Sequence, residues 1–241
     1  MRVSRLFSPQ TLPQQGAFDL DEAASHYLLK VLRSTVGYRF VMFDGSGSEF
    51  DVELSAATKK SATVTVLKVR PGLPESPLRT HLAVGISKGD RMDFVLQKAT
   101  ELGVTHITPL FTERGDVKLS GDRLAKKMQH WMGVIRSACE QCGRCVLPEL
   151  HPPVELKQLL QEDASQFKFV LYPTSQTPLK SEHSATSVCL LIGPEGGLSD
   201  SEIDQALSAS FTPLQLGPRV LRTETAPLAA LSLVQHLWGD L

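Results

Sequence analysis

Leu190-Leu191-Ile192-Gly193-Pro194-Glu195-Gly196-Gly197-Leu198-Ser199 decides the fold: a buried apolar run enters a glycine-rich turn, and a helix follows. Ser199 with Glu202 three residues on is a capping box, opening a helix that reaches Leu207. Strand, turn and capped helix in that order belong to a mostly parallel α/β sheet, where ligands gather at the carboxyl ends of strands. Glycines let peptide N–H and C=O groups approach a ligand closely. A tight structural turn would use the same residues. The order fits neither Gly-x4-Gly-Lys-Ser/Thr nor Gly-x-Gly-x-x-Gly after a first strand, which speaks against a phosphate-loop enzyme.

Working outward, strands and helices alternate on both sides of this turn. His81 to Ile86 reads as a buried strand, and Asp90 as the cap of a helix whose apolar face is Met92, Val95, Leu96, Ala99 and Leu102, closed by Gly103. Strands are expected at Ile107 to Phe111, Phe167 to Tyr172, Val188 to Ile192 and Phe211 to Leu216. Helices are expected at Gly121 to Gln141, Val154 to Glu162 and Ala226 to Trp238. The front of the chain differs. Tyr38 to Phe43 and Ser61 to Val69 are β-like, Asp44-Gly45-Ser46-Gly47 is a hairpin turn, and one helical stretch covers Asp21 to Leu32. These segments describe a small barrel or sandwich. Arg70 to Pro77 holds three prolines and a glycine and reads as the linker. The division is therefore 1–70, a linker at 71–77, and 78–241.

Of 241 residues 41% are hydrophobic, enough for a core without staples, and no apolar run nears the roughly 20 residues of a membrane span. The N-terminus lacks the apolar stretch of a signal peptide, so a cytoplasmic location is expected. The formal charge of −1 hides an asymmetry. Residues 1–144 carry 20 Lys+Arg against 15 Asp+Glu, whereas residues 145–215 carry 3 against 9. The front suits a polyanion and the back a neutral or cationic ligand, although clustering on a solvated surface gives the same numbers. Cys139, Cys142 and Cys145 imitate part of an iron–sulfur spacing but lack a fourth ligand, and with Cys189 they do not make a disulfide framework. No metal site is expected.

A second stretch, Leu216-Gly217-Pro218-Arg219-Val220-Leu221-Arg222-Thr223-Glu224-Thr225-Ala226-Pro227, repeats the plan of strand end, glycine turn and helix. Either Thr223 or Thr225 caps that helix with Glu224 favouring its N-terminus, or these polar residues bind a ligand.

Together with Asp90-Arg91-Met92-Asp93, Gln97 to Val104, Thr112-Glu113-Arg114, His130-Trp131 and Glu140-Gln141-Cys142-Gly143-Arg144, the two stretches resemble the RsmE family over nearly the whole chain. Its small N-terminal β-domain, here with His26, Lys30, Val31, Leu32 and Arg33, is PUA-like. The resemblance implies a SPOUT-class α/β domain with a trefoil knot and a homodimer. It implies S-adenosyl-L-methionine-dependent methylation of N3 of uridine 1498 in 16S ribosomal RNA, within the small ribosomal subunit, with neither DNA nor a membrane as partner. The cofactor would sit among Leu171, Tyr172, Pro173, Ile192, Gly193, Pro194, Glu195, Gly196, Gly197, Leu216, Gly217, Leu221, Arg222, Thr223 and Ala226. The family pattern gives the Glu140 to Arg144 stretch no metal role.

Uracil N3 is protonated at neutral pH, so its lone pair appears only when a base takes the proton or a cation steadies the anion on O2 and O4. Arg222 is the candidate cation, Glu224 the candidate base with Glu101 behind it, and solvent an alternative acceptor. Unstacking the target base needs cationic and stacking contacts. Arg5, His26, Lys30, Arg33 and Arg39 at the front, and Lys88, Arg91, Lys98, Arg114, Lys126 and Lys127 behind, are the candidates for RNA contact, each with an ordinary surface charge as the alternative. His130 and Trp131 read as packing or orientation residues.

Overall fold

A computed structural model describes residues 4–172 and 184–241. It divides into two compact units, one formed by residues 1–75 with 139–147 and the other by residues 76–138 with 148–241.

The first unit contains β1 (Arg5–Phe7), β2 (Gly16–Asp19), α1 (Glu22–His26), β3 (Arg39–Phe43), β4 (Ser48–Ala57) and β5 (Ala62–Pro71). The sheet order is β1-β3-β4-β5-β2, antiparallel except for β1 against β3. Strands β4 and β5 alternate buried and exposed residues, so one face packs over Phe40, Met42, Phe50, Leu54 and Val64 while the other meets water. The helical stretch expected from Asp21 to Leu32 is two pieces. The Asp21 carboxylate accepts from Ala24 N at 2.7 Å and starts α1, which gives way to a π-turn at Tyr27–Val31 that seats Leu28 in the core. Arg70 and Pro71 end β5, so the proline-rich segment begins inside a strand rather than after it. Cys139 and Cys145 pack with Phe43, and burial pushes the Cys139 thiol up to about 12.

The second unit contains β6 (Arg79–Gly85), α2 (Asp90–Glu101), β7 (His106–Phe111), α3 (Gly121–Cys142, whose last turn belongs to the first unit), β8 (Glu149–Leu150), β9 (Val154–Glu155), α4 (Leu156–Glu162), β10 (Phe167–Leu171), β11 (Ser187–Ile192), α5 (Asp200–Ser208), β12 (Thr212–Leu214) and α6 (Ala226–Trp238). The order is β12-β10-β11-β6-β7-β8, with β9 also on β7, and every pairing among the described residues is parallel. The central strands β6 and β11 turn into continuous buried apolar runs toward their carboxyl ends, from Leu82 and Val188 onward, because both faces are covered there.

Gly103, at φ +78°, ends α2, and the fully buried Gln235 of α6 donates to Leu102 O and Gly103 O at 3.2 Å while its own oxygen accepts from Ser76. This one amide ties the last helix to the end of α2. Asp90 is not the cap: Gly89 holds that position with φ +61°, which a side chain disfavours, and Asp90 is the first helical residue. The helix expected from Val154 starts at Leu156, because Val154 and Glu155, after two prolines, pair with β7 instead. Among the described residues no helix is long and apolar enough to cross a membrane.

At the amino ends of β6 and β7 lies a polar chain. Arg79 Nε donates to His106 Nε2 at 3.0 Å, His106 Nδ1 lies 3.1 Å from His151 Nε2, and Glu149 is within 3.5 Å of both rings. Because Arg79 can only donate, it fixes the proton of neutral His106 on Nδ1, which then donates to His151. Burial and the Arg79 cation hold the His106 pKa below its ordinary value, and burial does the same for His151. Nearby, His81 bonds Asp163 at 2.7 Å and Thr108 at 2.8 Å; burial works against the Asp163 carboxylate, but its hydrogen bonds with His81 and Ser165 outweigh this and hold it below the usual carboxylate range.

Both histidines bind protons more readily unfolded than folded, so their contribution is present above about pH 6.5 and fades as pH falls below it. The depressed Asp163 acts in the same direction at lower pH, below about 3.9. The melting temperature should therefore drop between pH 7.5 and pH 5, at about 2–4 °C per kcal/mol for a chain of this size. The drop should shrink in a His106→Asn/His151→Asn double variant, as calorimetry at the two pH values would measure; an equal drop in wild type and variant would remove the assignment.

Candidate cofactor and active site

The carboxyl ends of β6, β10, β11 and β12 hold the site, and the chain is shaped there by what will not fit. A Cβ at Gly193 would lie 2.7 Å from Leu198 N, and one at Gly85 would lie 2.5 Å from Pro194 N. One at Gly196 would press on the Arg114 main chain at 3.2 Å. Of these loop glycines only Gly197, at φ +69°, needs the left-handed region, so close approach rather than torsion dictates the others. The turn closes by Gly197 N donating to Pro194 O at 2.8 Å, and the capping box of Ser199 and Glu202 then starts α5. Glu202 is buried, and its second oxygen accepts from Glu113 N at 2.9 Å, which fixes the segment after β7 against the same helix.

The second loop leaves β12, turns at Gly217 with φ +94°, and returns across the first. Thr223 Oγ1 donates to Gly193 O at 3.1 Å and lies 3.3 Å from Ser87 Oγ. Neither threonine caps α6 through its side chain: Thr225 has the position without the bond, and Thr223 is spent on joining the loops.

Between the loops is a cavity of about 620 Å³. Every residue expected to hold the cofactor lines it except Pro173, which lies outside the described residues. Arg222 and Glu224 also line it. Glu101 does not; it is in the last turn of α2, paired with Lys98 at 2.8 Å. Two walls were not read as such from sequence. Arg91 Nη1 donates to Glu195 Oε1 at 2.8 Å, and Arg114 donates to Leu198 O at 3.1 Å. Apolar backing from Leu214 and Ile203 was also missed, although the capping box places Ile203 on the inner face of α5.

Charge at the site is compensated locally. Burial works against an ionised Glu195, but its own N–H, the Arg91 guanidinium and the Lys88 N–H outweigh it and keep the carboxyl below its ordinary pKa. Arg222 is exposed at the cavity and has no ion pair among the described residues. Glu224 Oε2 is buried without a hydrogen bond and lies 3.8 Å from Arg91 Nε.

The basic residues fall into two groups. Arg5 is turned inward, paired with buried Glu49, bonded to Gly143 O and Arg144 O and laid over the Phe43 ring, so its role is structural. Arg39, Lys88, Lys98 and Lys127 pair with Glu53, Asp116, Glu101 and Asp93. His130 also bonds Asp93, and the fully buried Trp131 packs under Lys127. His26, Lys30, Arg33 and Lys126 are exposed, with no ion pair among the described residues.

The comparisons agree with this layout. The RNA methyltransferase domain family matches residues 74–235, and the RNA methyltransferase PUA domain family matches residues 20–67. A ribosomal RNA small subunit methyltransferase E from Buchnera aphidicola subsp. Schizaphis graminum is 35% identical, covering 100% of this chain and 98% of its own. A methyltransferase from Legionella pneumophila, solved in complex with SAM, superposes with a TM-score of 0.96 at 42% identity over 100% of both chains. The Neisseria gonorrhoeae ribosomal RNA small subunit methyltransferase E, solved bound to S-adenosyl methionine, gives 0.92 at 37% identity, again over 100% of both. With two glycine loops closing one cavity on a parallel sheet, and likeness running end to end, this chain belongs to the ribosomal RNA small subunit methyltransferase E family.

Proposed function

We propose that this chain is an S-adenosyl-L-methionine-dependent methyltransferase that modifies N3 of a uridine in 16S ribosomal RNA, at position 1498 of the small subunit. One observation carries the reading: the cavity formed by the two loops, in a fold whose relatives were solved holding that cofactor. The residues suit such a group. Gly193 and Gly196 present bare main chain where a side chain would clash, and Glu224 Oε2 is a buried acceptor awaiting a donor.

The bound cofactor supplies an electrophilic methyl group on a sulfonium. The chain supplies everything else. Main-chain groups of 193–197 and 216–221 hold and orient it, and Thr223 keeps the two loops at a fixed separation, which is where positioning lowers the barrier. Arg222, free of an ion pair among the described residues, offers paired N–H donors to the uracil oxygens as negative charge develops on them. Glu224 takes the N3 proton and passes it to solvent; Glu101, outside the cavity and paired with Lys98, is the weaker candidate. His26, Lys30, Arg33 and Lys126 dock the RNA.

The reading includes a PUA-like unit, a SPOUT domain whose C-terminal chain passes through a trefoil knot, a homodimer, and a cytoplasmic setting. Thr223 reaching Gly193 supports the threading, since it lays the 216–225 segment across the earlier loop.

Gly193→Ala should weaken S-adenosylmethionine binding by tenfold or more and lower the melting temperature as well, because the added carbon meets main chain rather than a movable side chain and the loop has to shift. Calorimetric titration measures it; unchanged affinity would place the cofactor elsewhere. Arg222→Ala should lower turnover by about 10²–10³ with cofactor affinity retained within twofold. Equal loss of both would make Arg222 part of the binding wall. Mass spectrometry of 16S ribosomal RNA from cells lacking the protein should show the unmethylated uridine, restored by the wild-type gene. A methylation pattern indifferent to the deletion would overturn the function.

A further inference from the structure

Arg91 stands in the first turn of α2, and its guanidinium lies between two carboxylates that come from different loops. On one side Nη1 donates to Glu195 Oε1 at 2.8 Å. That oxygen also accepts from Lys88 N at 3.0 Å, so the first glycine loop is held to the start of α2 twice. On the other side Nε faces Glu224 Oε2 at 3.8 Å, beyond hydrogen-bond length. Oε2 is buried and has no hydrogen bond. A buried acceptor without a donor is unfavourable and calls for an explanation. The Arg91 cation balances the charge of this buried oxygen across the gap, and the Glu224 side chain is itself part of the cavity lining.

We propose that Arg91 is a positioning residue for methyl transfer, clamping the two cavity loops together and aiming the Glu224 carboxylate at the N3–H of the incoming uracil. The inference rests on the proposed function and on Glu224 as the proton acceptor. It reassigns a cation that surface charge alone would give to RNA phosphates. A forked, planar guanidinium bridges two carboxylates in a way that a neutral amide cannot, and an ammonium does so only in part.

The test is a double-variant cycle on the full chain. kcat and KM for the RNA, and Kd for S-adenosylmethionine, are measured for wild type, Arg91→Gln, Arg91→Lys, Glu195→Gln, Glu224→Gln and Arg91→Gln/Glu224→Gln, with melting curves to report folding. Arg91→Gln should lower kcat by roughly 10–100-fold, the range expected for a misplaced reacting group. KM for RNA and Kd for the cofactor should stay within threefold. Arg91→Lys should recover part of the loss, and Glu195→Gln, which opens the clamp from its other side, should reproduce it if Arg91→Gln does not fold. In the Glu224→Gln background the Arg91 substitution should have no further effect, the signature of residues acting as one unit.

Two results would overturn the clamp. A raised KM for RNA with unchanged kcat would make Arg91 a phosphate contact, and losses that multiply in the double variant would make it independent of Glu224. Full activity of Glu224→Gln would remove the acceptor and the clamp with it, leaving the methyltransferase reading intact. Failure of the wild-type chain to bind S-adenosylmethionine or methylate N3 would instead defeat the proposed function, and the two failures are told apart by the wild-type measurements alone.

Discussion

Everything at the site depends on how closely main chain approaches main chain where β6 and β11 end. Gly85, Pro194, Gly193 and Leu198 come within distances that no Cβ tolerates, and Thr223 adds a hydroxyl to the Gly193 carbonyl. A parallel sheet delivers its strand ends side by side at one edge, so loops from different points of the sequence are forced together there. With side chains excluded from the crowded positions, what remains to face a ligand is peptide N–H and C=O. Such groups are rigid, uncharged and fixed in direction by the strands behind them, which suits a ligand that must be held at a defined angle rather than simply held. The capping box of Ser199 and Glu202 completes this. Glu202 is buried yet satisfied on both oxygens, so it locks the exit of the glycine loop to α5 and to the chain after β7 at the same time.

Much of the fold was legible because its signals are local. Apolar runs at 188–192 and 81–86 named the central strands, and the three-and-four spacing from Met92 to Leu102 named α2. The boundaries that failed were decided by distant partners. Nothing within Val154 and Glu155 says that β7 will pair with them, and nothing in Tyr27–Val31 announces a π-turn that seats Leu28. At Asp90 propensity favoured an acidic cap, but backbone at positive φ selected Gly89. The cavity was legible at its two glycine stretches because close approach leaves a composition mark. Its arginine walls were not, since an arginine that pairs with Glu195 looks in sequence like one that meets solvent.

Charge gives the sharpest case of sequence and space diverging. The deficit of Lys and Arg over residues 145–215 invites the idea of an acidic pocket for a cationic ligand. The cavity instead draws Arg91 and Arg114 from the basic front and Arg219 and Arg222 from the tail, against Glu195, Asp200 and Glu224. Four cations face three carboxylates, and the sign of a stretch of chain is no guide to the sign of the surface it helps build. What makes the site workable is pairing: Arg91 is engaged with Glu195 and Arg114 with a carbonyl, while Arg222 stays without an ion pair among the described residues.

That distinction between engaged and available groups also separates scaffold from chemistry among the basic residues. Arg5 has a buried carboxylate, two carbonyls and an aromatic ring as partners, and moving it to meet RNA would strand Glu49 in the interior with Arg70 as its remaining ion pair. Lys30 and Arg33 have no ion pair among the described residues, and they stand beside exposed Val31 and Leu32 at the end of the helical turn, so cations and apolar surface lie together there. The same rule applied to Glu224 singles out a carboxylate that lines the cavity and whose second oxygen has no hydrogen-bond donor among the described residues, which leaves it available where Arg91 is engaged.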